Sequence, residues 1–406
     1  MRRLASLRGN GMTAPLAGLR LIEFSRFLPG AYPGWIAGDM GADVIRVENP
    51  RELAKHARMF GQDDDPATAR LRRARPSYWR NRRSIVIDPG HPAAQAVLHA
   101  LVASADILVE DYRPGVMAAM GLGYEALAKV NPRLIYCSVS FAGQTGPLHG
   151  RAGHDPAALA LAGALSRLNG TATPTLPGVQ VADVLAGSHA AIAMLVALQQ
   201  RAQTGKGTQV DIAMTDAALP LIAVALGRSA PDAIPPVDGR WHPKGGVWRC
   251  ADDRWLCTTD MEPRYWQRFC AAVDRPDYAA RQFDSDAHPA IHDDLAALFR
   301  TRPRDAWLDL LAAADTQAMP LLTPAEALRH PHARARGMHV TLPVGDGAVE
   351  QIGTPFHIAG IDPPAHRAAG LPGAERSDIL TELGLDVAAQ QALADAGVFT
   401  GDRSTR

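Results

Sequence analysis

The sequence predicts an α/β protein in which the first half forms a parallel sheet and the second half contains a smaller α+β domain. Short apolar runs alternate with helix-like stretches through the first half, a pattern typical of parallel strands joined by crossover helices. Around Leu226–Asp238 the composition shifts to Pro, Asp and Gly, which indicates a domain boundary. A hairpin pattern and further helices follow, so a second domain of a different kind is expected.

The predicted strands of the first half are each followed by a turn and a helix-like segment. They are Leu19–Phe24, Asp43–Glu48, Ser84–Asp88, Ile107–Glu110 and Leu134–Val139. Helices are predicted up to Met40, at Pro92–Ala103 and at Asp183–Arg201, the last Ala-rich with small residues on several faces, as in a helix buried between layers. The first turn, FSRFLPGAYPG, lacks GxGxxG, which excludes the usual nicotinamide dinucleotide site.

The second half begins with a predicted hairpin, Val247–Thr259, that turns at Ala251–Arg254. The helices predicted after it are Pro263–Val273, Asp293–Arg300 and Arg304–Ala314. Short strands from Thr341 onward and a helical end near Ile379–Leu383 indicate that the chain returns to the first domain. The expected organisation is an extension at 1–14, a large domain at 15–225, a small domain at 226–335, and a return to the large domain at 336–406.

Charge and composition exclude several classes of partner. The 42 basic and 42 acidic side chains cancel, so no long-range field attracts nucleic acid or an anionic membrane. The most apolar stretch, Leu185–Leu198, is shorter than the roughly 20 residues that span a bilayer. Four cysteines without CxxC spacing indicate buried thiols in a reducing cytosol and no metal site. Translation from Met12 would leave the first 11 residues out.

Arginine is concentrated in RLRRARPSYWRNRR, beside Tyr78 and Trp79. Guanidinium groups suit phosphate oxygens and flat rings suit a purine, so this segment fits a nucleotide-bearing cofactor, with a solvated loop as the alternative. Arg113 follows a predicted strand directly, where open α/β sheets bind ligands; a surface salt bridge is its alternative. The arginines of the segment are Arg70, Arg72, Arg73, Arg75, Arg80, Arg82 and Arg83.

An imidazole and two carboxylates could perform acid and base chemistry. Asp155 is followed by Pro156, which predicts a helix N-cap with Pro at the first position and leaves His154 just outside the helix, able to exchange a proton. Asp183 lies in the first turn of the long helix, as a dipole partner or as a base or nucleophile. Glu262 precedes Pro263 at a helix start in the small domain. The spacing does not show that these groups meet.

The chain resembles the class III CoA-transferase family over about residues 15–385. The resemblance is carried by PLAGLRLIEFSRFLPG, GDMGADVIRVENP, WRNRRSIVIDP, DILVEDYRPGVMAAMGLGYEAL, NPRLIYCSVSFAGQTGP, TGKGTQVDIAMTDA and ARARGM, in that order. It implies a Rossmann-like large domain, a small domain and an interlocked homodimer. It also implies acyl-CoA substrates handled without a metal or NAD.

The family contains two chemistries, and the resemblance maps residues onto both. In its transferases an Asp, here Asp183, attacks the donor thioester. In its α-methylacyl-CoA racemase branch a His and an Asp exchange the α-proton, and a Glu of the small domain helps to order them. The segments AGHDPAALALAGALSRL and TTDMEPRYW resemble the racemase branch and map His154 and Glu262. The three residues after Asp155 depart from the racemase pattern.

The sequence therefore favours racemisation or epimerisation at the α-carbon of a 2-methylacyl-CoA, a reaction of lipid metabolism. The expected catalytic residues are His154, Asp183 and Glu262. CoA transfer to a carboxylic acid through Asp183 is the alternative, and an inactive acyl-CoA binding protein is the second. The resemblance of YRPGV makes Arg113 the first candidate for the CoA phosphates. The weaker candidates are Arg82, Arg83 and Arg46.

Overall fold

The computed structural model describes residues 14–60, 65–168, 173, 175–234, 245–361 and 364–400. The strands are β1 (Arg20–Phe24), β2 (Asp43–Glu48), β3 (Arg82–Val86), β4 (Ile107–Glu110), β5 (Ile135–Ser140), β6 (Thr208–Ala213), β7 (Gly245–Arg249), β8 (Trp255–Thr259), β9 (Met319–Pro320), β10 (His339–Val344) and β11 (Gly347–Ile352). The helices are α1 (Leu28–Asp39), α2 (Pro50–Phe60), α3 (Pro66–Ala74), α4 (Gln95–Ala103), α5 (Val116–Ala119), α6 (Tyr124–Val130), α7 (Asp155–Leu161), α8 (Leu165–Leu168), α9 (Val181–Thr204), α10 (Met214–Ala218), α11 (Ala223–Arg228), α12 (Pro263–Ala272), α13 (His288–Phe299), α14 (Arg304–Ala313), α15 (Pro324–Arg329), α16 (Pro331–Ala335), α17 (Arg376–Glu382) and α18 (Val387–Asp395).

The chain separates into two compact units. The first comprises the described residues of 14–164, 177–228 and 334–400, and the second those of 165–176 and 229–333. The segment after Thr341 lies in the first unit. Except for Ala14, the expected extension 1–14 lies outside the described residues, as do part of the expected boundary around Leu226–Asp238 and the end of the chain, 401–406.

The first unit is built on a six-stranded sheet with the order β3-β2-β1-β4-β5-β6. Every neighbouring pair in it is parallel, which confirms the expected parallel sheet. Its strands are short apolar runs because both faces are covered by helices. The strand order reverses between β1 and β4, and in such sheets ligands bind outside the carboxyl ends of the strands at this switch point.

Strand β3 starts two residues before its predicted start at Ser84, which corrects that boundary. Two arginines therefore belong to a strand, although the apolar pattern alone begins after them. Both find partners across the sheet. The Arg82 guanidinium donates to Glu23 on β1 at 2.7 Å, and that of Arg83 donates to Asp43 on β2 at 2.7 Å.

Helix α9 packs against α1 and against β5 and β6. It is long and apolar enough, by length and composition, to cross a membrane. However, its buried Arg201 donates to Asp106 at 2.9 Å, and its Gly187 lies so close to α1 that a Cβ there would come within 2.4 Å of the Tyr32 Cβ. We therefore interpret α9 as a core helix of the sheet, as its small residues predict.

The second unit contains an antiparallel sheet with the order β7-β8-β9. Its first two strands form the expected hairpin, in which the N–H of Cys250 donates to the carbonyl of Arg254. Helices α12 and α14 begin where the sequence predicts, whereas α13 begins five residues before the predicted Asp293. The core of this unit is aromatic and includes Trp248, Trp266, Trp307, Phe269 and Phe299.

A buried ion pair ties the returning segment to the large sheet. The Arg80 guanidinium, fully buried, donates to both carboxylate oxygens of Asp39 at the end of α1. The same carboxylate accepts from Asn81 at 2.8 Å and from the Thr354 hydroxyl at 2.9 Å. Because Thr354 follows β11, its bond to Asp39 joins segments that are 315 positions apart.

We expect Asp39→Asn to lower the free energy of unfolding by about 3 kcal/mol, because it leaves the buried Arg80 guanidinium without its counter-charge. The matched control is Asp43→Asn, which breaks partly exposed pairs with Arg20 and Arg83 and should cost about 1 kcal/mol or less. Urea unfolding of both variants measures the difference. Equal losses would show that the Asp39 pair contributes no more than a surface bridge.

Candidate active site

Two helix starts meet in the first unit. Helix α7 follows β5 after a long connection, and α9 begins at Val181. The Asp155 carboxylate, at the start of α7, accepts the backbone N–H of Asp183 at 3.0 Å. This bond joins residues 28 positions apart, and it brings together the neighbourhoods of the predicted residues His154 and Asp183.

The position of Asp155 corrects one expectation. His154, not Asp155, occupies the N-cap of α7, and Pro156 is the second helical residue. Asp155 is buried, with 4% of its surface exposed. Its carboxylate satisfies a backbone donor of the first turn of α9 instead of capping its own helix. Asp155 therefore makes a structural contact, and this contact joins two helices instead of capping one.

Asp183 is a partly buried carboxyl group among other acids. Burial, first, and then the negative charges of Asp155 and Asp111 raise its pKa to about 6. With a pKa of about 6, about a tenth of Asp183 keeps its proton at pH 7, and about half keeps it at pH 6. A carboxyl group in this condition can act as an acid, or as a base after it ionises.

His154 is exposed at the start of α7, and its side chain does not cap the helix. His154 directly precedes Asp155, whose carboxylate accepts the hydrogen bond from the Asp183 amide. The hydrogen bond from the Asp183 amide to Asp155 therefore places two different kinds of proton carrier, an imidazole and a carboxyl group, on neighbouring helix starts.

Glu262 lies in the second unit, and its role stays a prediction. It occupies the N-cap of α12 without a side-chain capping bond. Its carboxylate accepts from the side-chain amide of Gln317 at 3.3 Å, while the Gln317 backbone N–H donates to buried Asp260 at 2.8 Å. Burial raises the pKa of Asp260 to about 6. Asp260 thus holds the segment that contacts Glu262.

Arg113 is exposed three residues after the end of β4, at the carboxyl edge of the sheet. The other candidates for phosphate binding are directed into the protein. Arg82 is bound to Glu23, and Arg83 is bound to Asp43 and Glu382 at the amino ends of β2 and β3. Their guanidinium groups are occupied by carboxylates, which argues against the expectation that they hold CoA phosphates.

Several arginines of the arginine-rich segment are bound to other residues of the protein, whereas Arg70, Arg72 and Arg75 are exposed. Arg73 and Arg80, like Arg82 and Arg83, bind carboxylates. The Trp79 ring is covered by the guanidinium of Arg46, whose Cζ lies 3.3 Å from the ring centroid. The Arg46 guanidinium therefore covers the face of Trp79 on which the sequence suggested that a purine could stack.

Two further residues interact electrostatically with Asp183, and the sequence did not predict that interaction for either of them. Asp111 follows β4 and contributes to the electrostatics of Asp183. Its position after a predicted strand is the same signal that identified Arg113. Tyr78 also interacts electrostatically with Asp183, and burial is the main reason that the Tyr78 pKa is raised. No sequence pattern links Tyr78 to Asp183, because the two are far apart along the chain.

A parallel sheet whose strand order reverses, with acid groups after its strands, is the architecture of many α/β enzymes. Residues 16–376 match the family model of CoA-transferase family III, and the chain belongs to this family. It is 31% identical to the succinyl-CoA–L-malate CoA-transferase alpha subunit of Chloroflexus aurantiacus, over 93% of this chain and 90% of the relative. It is 29% identical to human alpha-methylacyl-CoA racemase, over 80% of this chain and 82% of the relative.

The fold agrees with this assignment. A CAIB/BAIF family protein from Brucella suis has a crystal structure that matches with a TM-score of 0.78 and 28% identity, covering 92% of this chain and all of that one. The protein is therefore an enzyme that is either a CoA-transferase or a racemase.

Proposed function

We propose that the protein is a racemase or epimerase of 2-methylacyl-CoA thioesters. The observation that carries the proposal is the hydrogen bond between Asp155 and the Asp183 amide, which holds His154 and a partly protonated Asp183 in one region. Two proton carriers are what inversion at a carbon requires, because one face of the carbon loses a proton while the other gains one.

In the proposed reaction His154 takes the α-proton, and the electrons of the broken C–H bond move into the thioester as an enolate. Asp183, in its acid form, returns a proton to the opposite face. The thioester is regenerated, with His154 now protonated and Asp183 ionised. The reverse reaction exchanges the two roles. A pKa of about 6 for Asp183 supports this assignment, because both of its forms are accessible near neutrality.

The enolate oxygen needs donors, and the first turn of α9 is where we propose them. The Asp183 amide is already bound to Asp155, so it is not one of them. The amides of Val181 and Ala182 precede it in the same turn, and an amino-terminal helical turn favours a negative oxygen. We assign the CoA phosphates to Arg113, because it is exposed at the carboxyl edge of the sheet, whereas Arg51, exposed at the same edge, is bound to Asp88.

CoA transfer is the second candidate, and the comparison with CoA-transferases of 31% identity favours it. In that reaction the ionised Asp183 attacks the thioester carbonyl. The CoA thiolate leaves, and a mixed anhydride forms on the protein. His154 has no required part in this step.

Deuterium exchange with solvent distinguishes the two reactions. A 2-methylacyl-CoA incubated in D2O without an acceptor acid should gain deuterium at the α-carbon and lose its configuration. The kcat/KM for racemisation should be bell-shaped in pH, because one group must be protonated and the other not. CoA transfer should instead rise through pH about 6, where Asp183 ionises. No deuterium uptake, with a hydroxylamine-trapped acyl group on Asp183, would contradict racemisation.

We also propose that the enzyme is a cytoplasmic homodimer acting in lipid metabolism. One face of α9 leaves apolar side chains exposed, with Ile192 at 58% and Val196 at 64%. On α11, Val224 is exposed at 65%. Large apolar side chains exposed together on a helix face are often covered by a partner, and a second copy is the partner that the family implies. Sedimentation equilibrium measures the mass of the protein in solution, which should be twice the mass of one chain.

A further inference from the structure

The ring of Phe27 touches the imidazole of His154. Phe27 is the N-cap of α1, three residues after the end of β1, and its ring centroid lies 5.6 Å from that of His154 at an interplanar angle of 86°. This is an edge-to-face contact of the kind that fixes the relative orientation of two rings. Phe27 nevertheless keeps 51% of its surface exposed, so burial alone does not explain a large aromatic side chain at this position.

The backbone of Phe27 is held by a buried carboxylate. Asp111, which is 8% exposed, accepts the N–H of Phe27 at 2.8 Å and that of Arg26 at 2.9 Å. The Arg26 guanidinium donates back to the Asp111 carbonyl at 2.6 Å and lies 4.3 Å over the Tyr112 ring. A Cβ at Gly30 would come within 2.7 Å of the Asp111 side chain. The carboxyl ends of β1 and β4 are thus locked together directly beneath Phe27.

We propose that Phe27 is a positioning residue for His154, and that Asp111 fixes Phe27 for this task. The inference rests on the proposed function, in which His154 carries the α-proton. The His154 side chain does not cap α7, so the phenyl ring restricts the rotation of an otherwise exposed imidazole. Proton transfer needs the base within about 3 Å of the proton donor, and small misplacements reduce the rate strongly. Asp111 thereby connects the switch point of the sheet to the reacting imidazole.

Two substitutions of Phe27 test the role. Phe27→Leu keeps an apolar side chain but removes the ring, and should lower kcat for deuterium uptake about tenfold with KM within about twofold. Phe27→Tyr keeps the ring and should retain kcat within about twofold. Phe356→Leu, at another exposed phenylalanine, is the matched control and should leave kcat unchanged. A Phe27→Leu protein with wild-type kcat would overturn the proposal.

A double-mutant cycle shows whether Phe27 acts through His154. In a His154→Ala background, Phe27→Leu should not reduce the residual exchange further. A further tenfold loss there would mean that Phe27 acts on the substrate instead, and would overturn the positioning role.

The contact can also be measured without activity. With 15N-labelled histidine, the imidazole resonances that disappear in His154→Ala identify His154, and Phe27→Leu should shift them because the phenyl ring current is lost. Unshifted resonances would overturn the contact itself. A wild-type protein without deuterium uptake would overturn the proposed function and the positioning role together. Uptake that is insensitive to Phe27→Leu overturns the positioning role alone.

Discussion

Asp183→Asn should abolish interconversion of the enantiomers, with a loss of at least about a thousandfold in kcat, while the protein becomes more stable at pH 8. The activity is lost because an amide neither donates a proton to a carbanion nor accepts one. CoA transfer would be lost as well, because an amide oxygen does not replace the carboxylate nucleophile. The backbone bond from residue 183 to Asp155 is unaffected by the change, so the helix start keeps its geometry.

The gain in stability follows from the direction of the pKa change. Burial and neighbouring acids raise the pKa of Asp183 to about 6 in the folded protein, above the value of about 3.9 in an unfolded chain. The folded state therefore holds this proton more tightly, and the wild-type protein loses stability as the pH rises from about 4 to about 6. Each unit of difference between the folded and unfolded pKa corresponds to about 1.4 kcal/mol of unfolding free energy. Solvent near this partly exposed group reduces the total effect to on the order of 1–2 kcal/mol.

Urea unfolding of the wild-type protein and of Asp183→Asn at pH 4 and pH 8 measures this effect. The two proteins should be nearly equal at pH 4, and the variant should be the more stable at pH 8. Asp216→Asn is the matched control, because Asp216 is an exposed carboxylate in the first turn of α10. It should change neither activity nor stability appreciably. A variant less stable than wild type at pH 8 would show that the Asp183 carboxylate is stabilised rather than strained in the fold.

The local pattern predicts the sheet well, because its strands are bounded by turns and filled with apolar residues. Strands β2 and β4 begin and end at the predicted residues. The pattern fails at β3, where the first two residues are arginines. Their strand conformation depends on Glu23 and Asp43, which are 59 and 40 positions away. A residue whose place is determined by distant partners leaves no periodic signal in its own segment.

The candidate site also depends on partners that are distant along the chain. Residue types and the family resemblance select His154 and Asp183, but their approach depends on one hydrogen bond between Asp155 and the start of α9. The sequence reads Asp155 as a cap of its own helix, because an Asp-Pro pair has that meaning locally. Likewise, Arg82 looks available for a phosphate until Glu23 is seen beside it. Charge pairing across the sheet separates the arginines that build the fold from the one, Arg113, that we assign to a ligand.

His154→Ala should separate the two chemistries of the family. In a racemase it removes one of the two proton carriers, so interconversion of the enantiomers should fall at least about a hundredfold. CoA transfer through an Asp183 anhydride needs no imidazole at this position, and it should survive within about threefold. Because His154 is exposed at a helix start without a capping bond, its removal should leave the unfolding free energy within about 0.5 kcal/mol of wild type. A loss of activity can then be assigned to chemistry.

The measurement compares racemisation with acyl transfer to a carboxylic acid, such as succinate, in the same preparation. His149→Ala is the matched control, since His149 is an exposed histidine whose ring contacts only the Gly146 carbonyl among the described contacts. Full racemisation by His154→Ala would exclude the imidazole as a proton carrier. Undiminished transfer, with no racemisation by the wild-type protein, would identify the enzyme as a transferase, because the Asp183 carboxylate would then be sufficient for all of its chemistry.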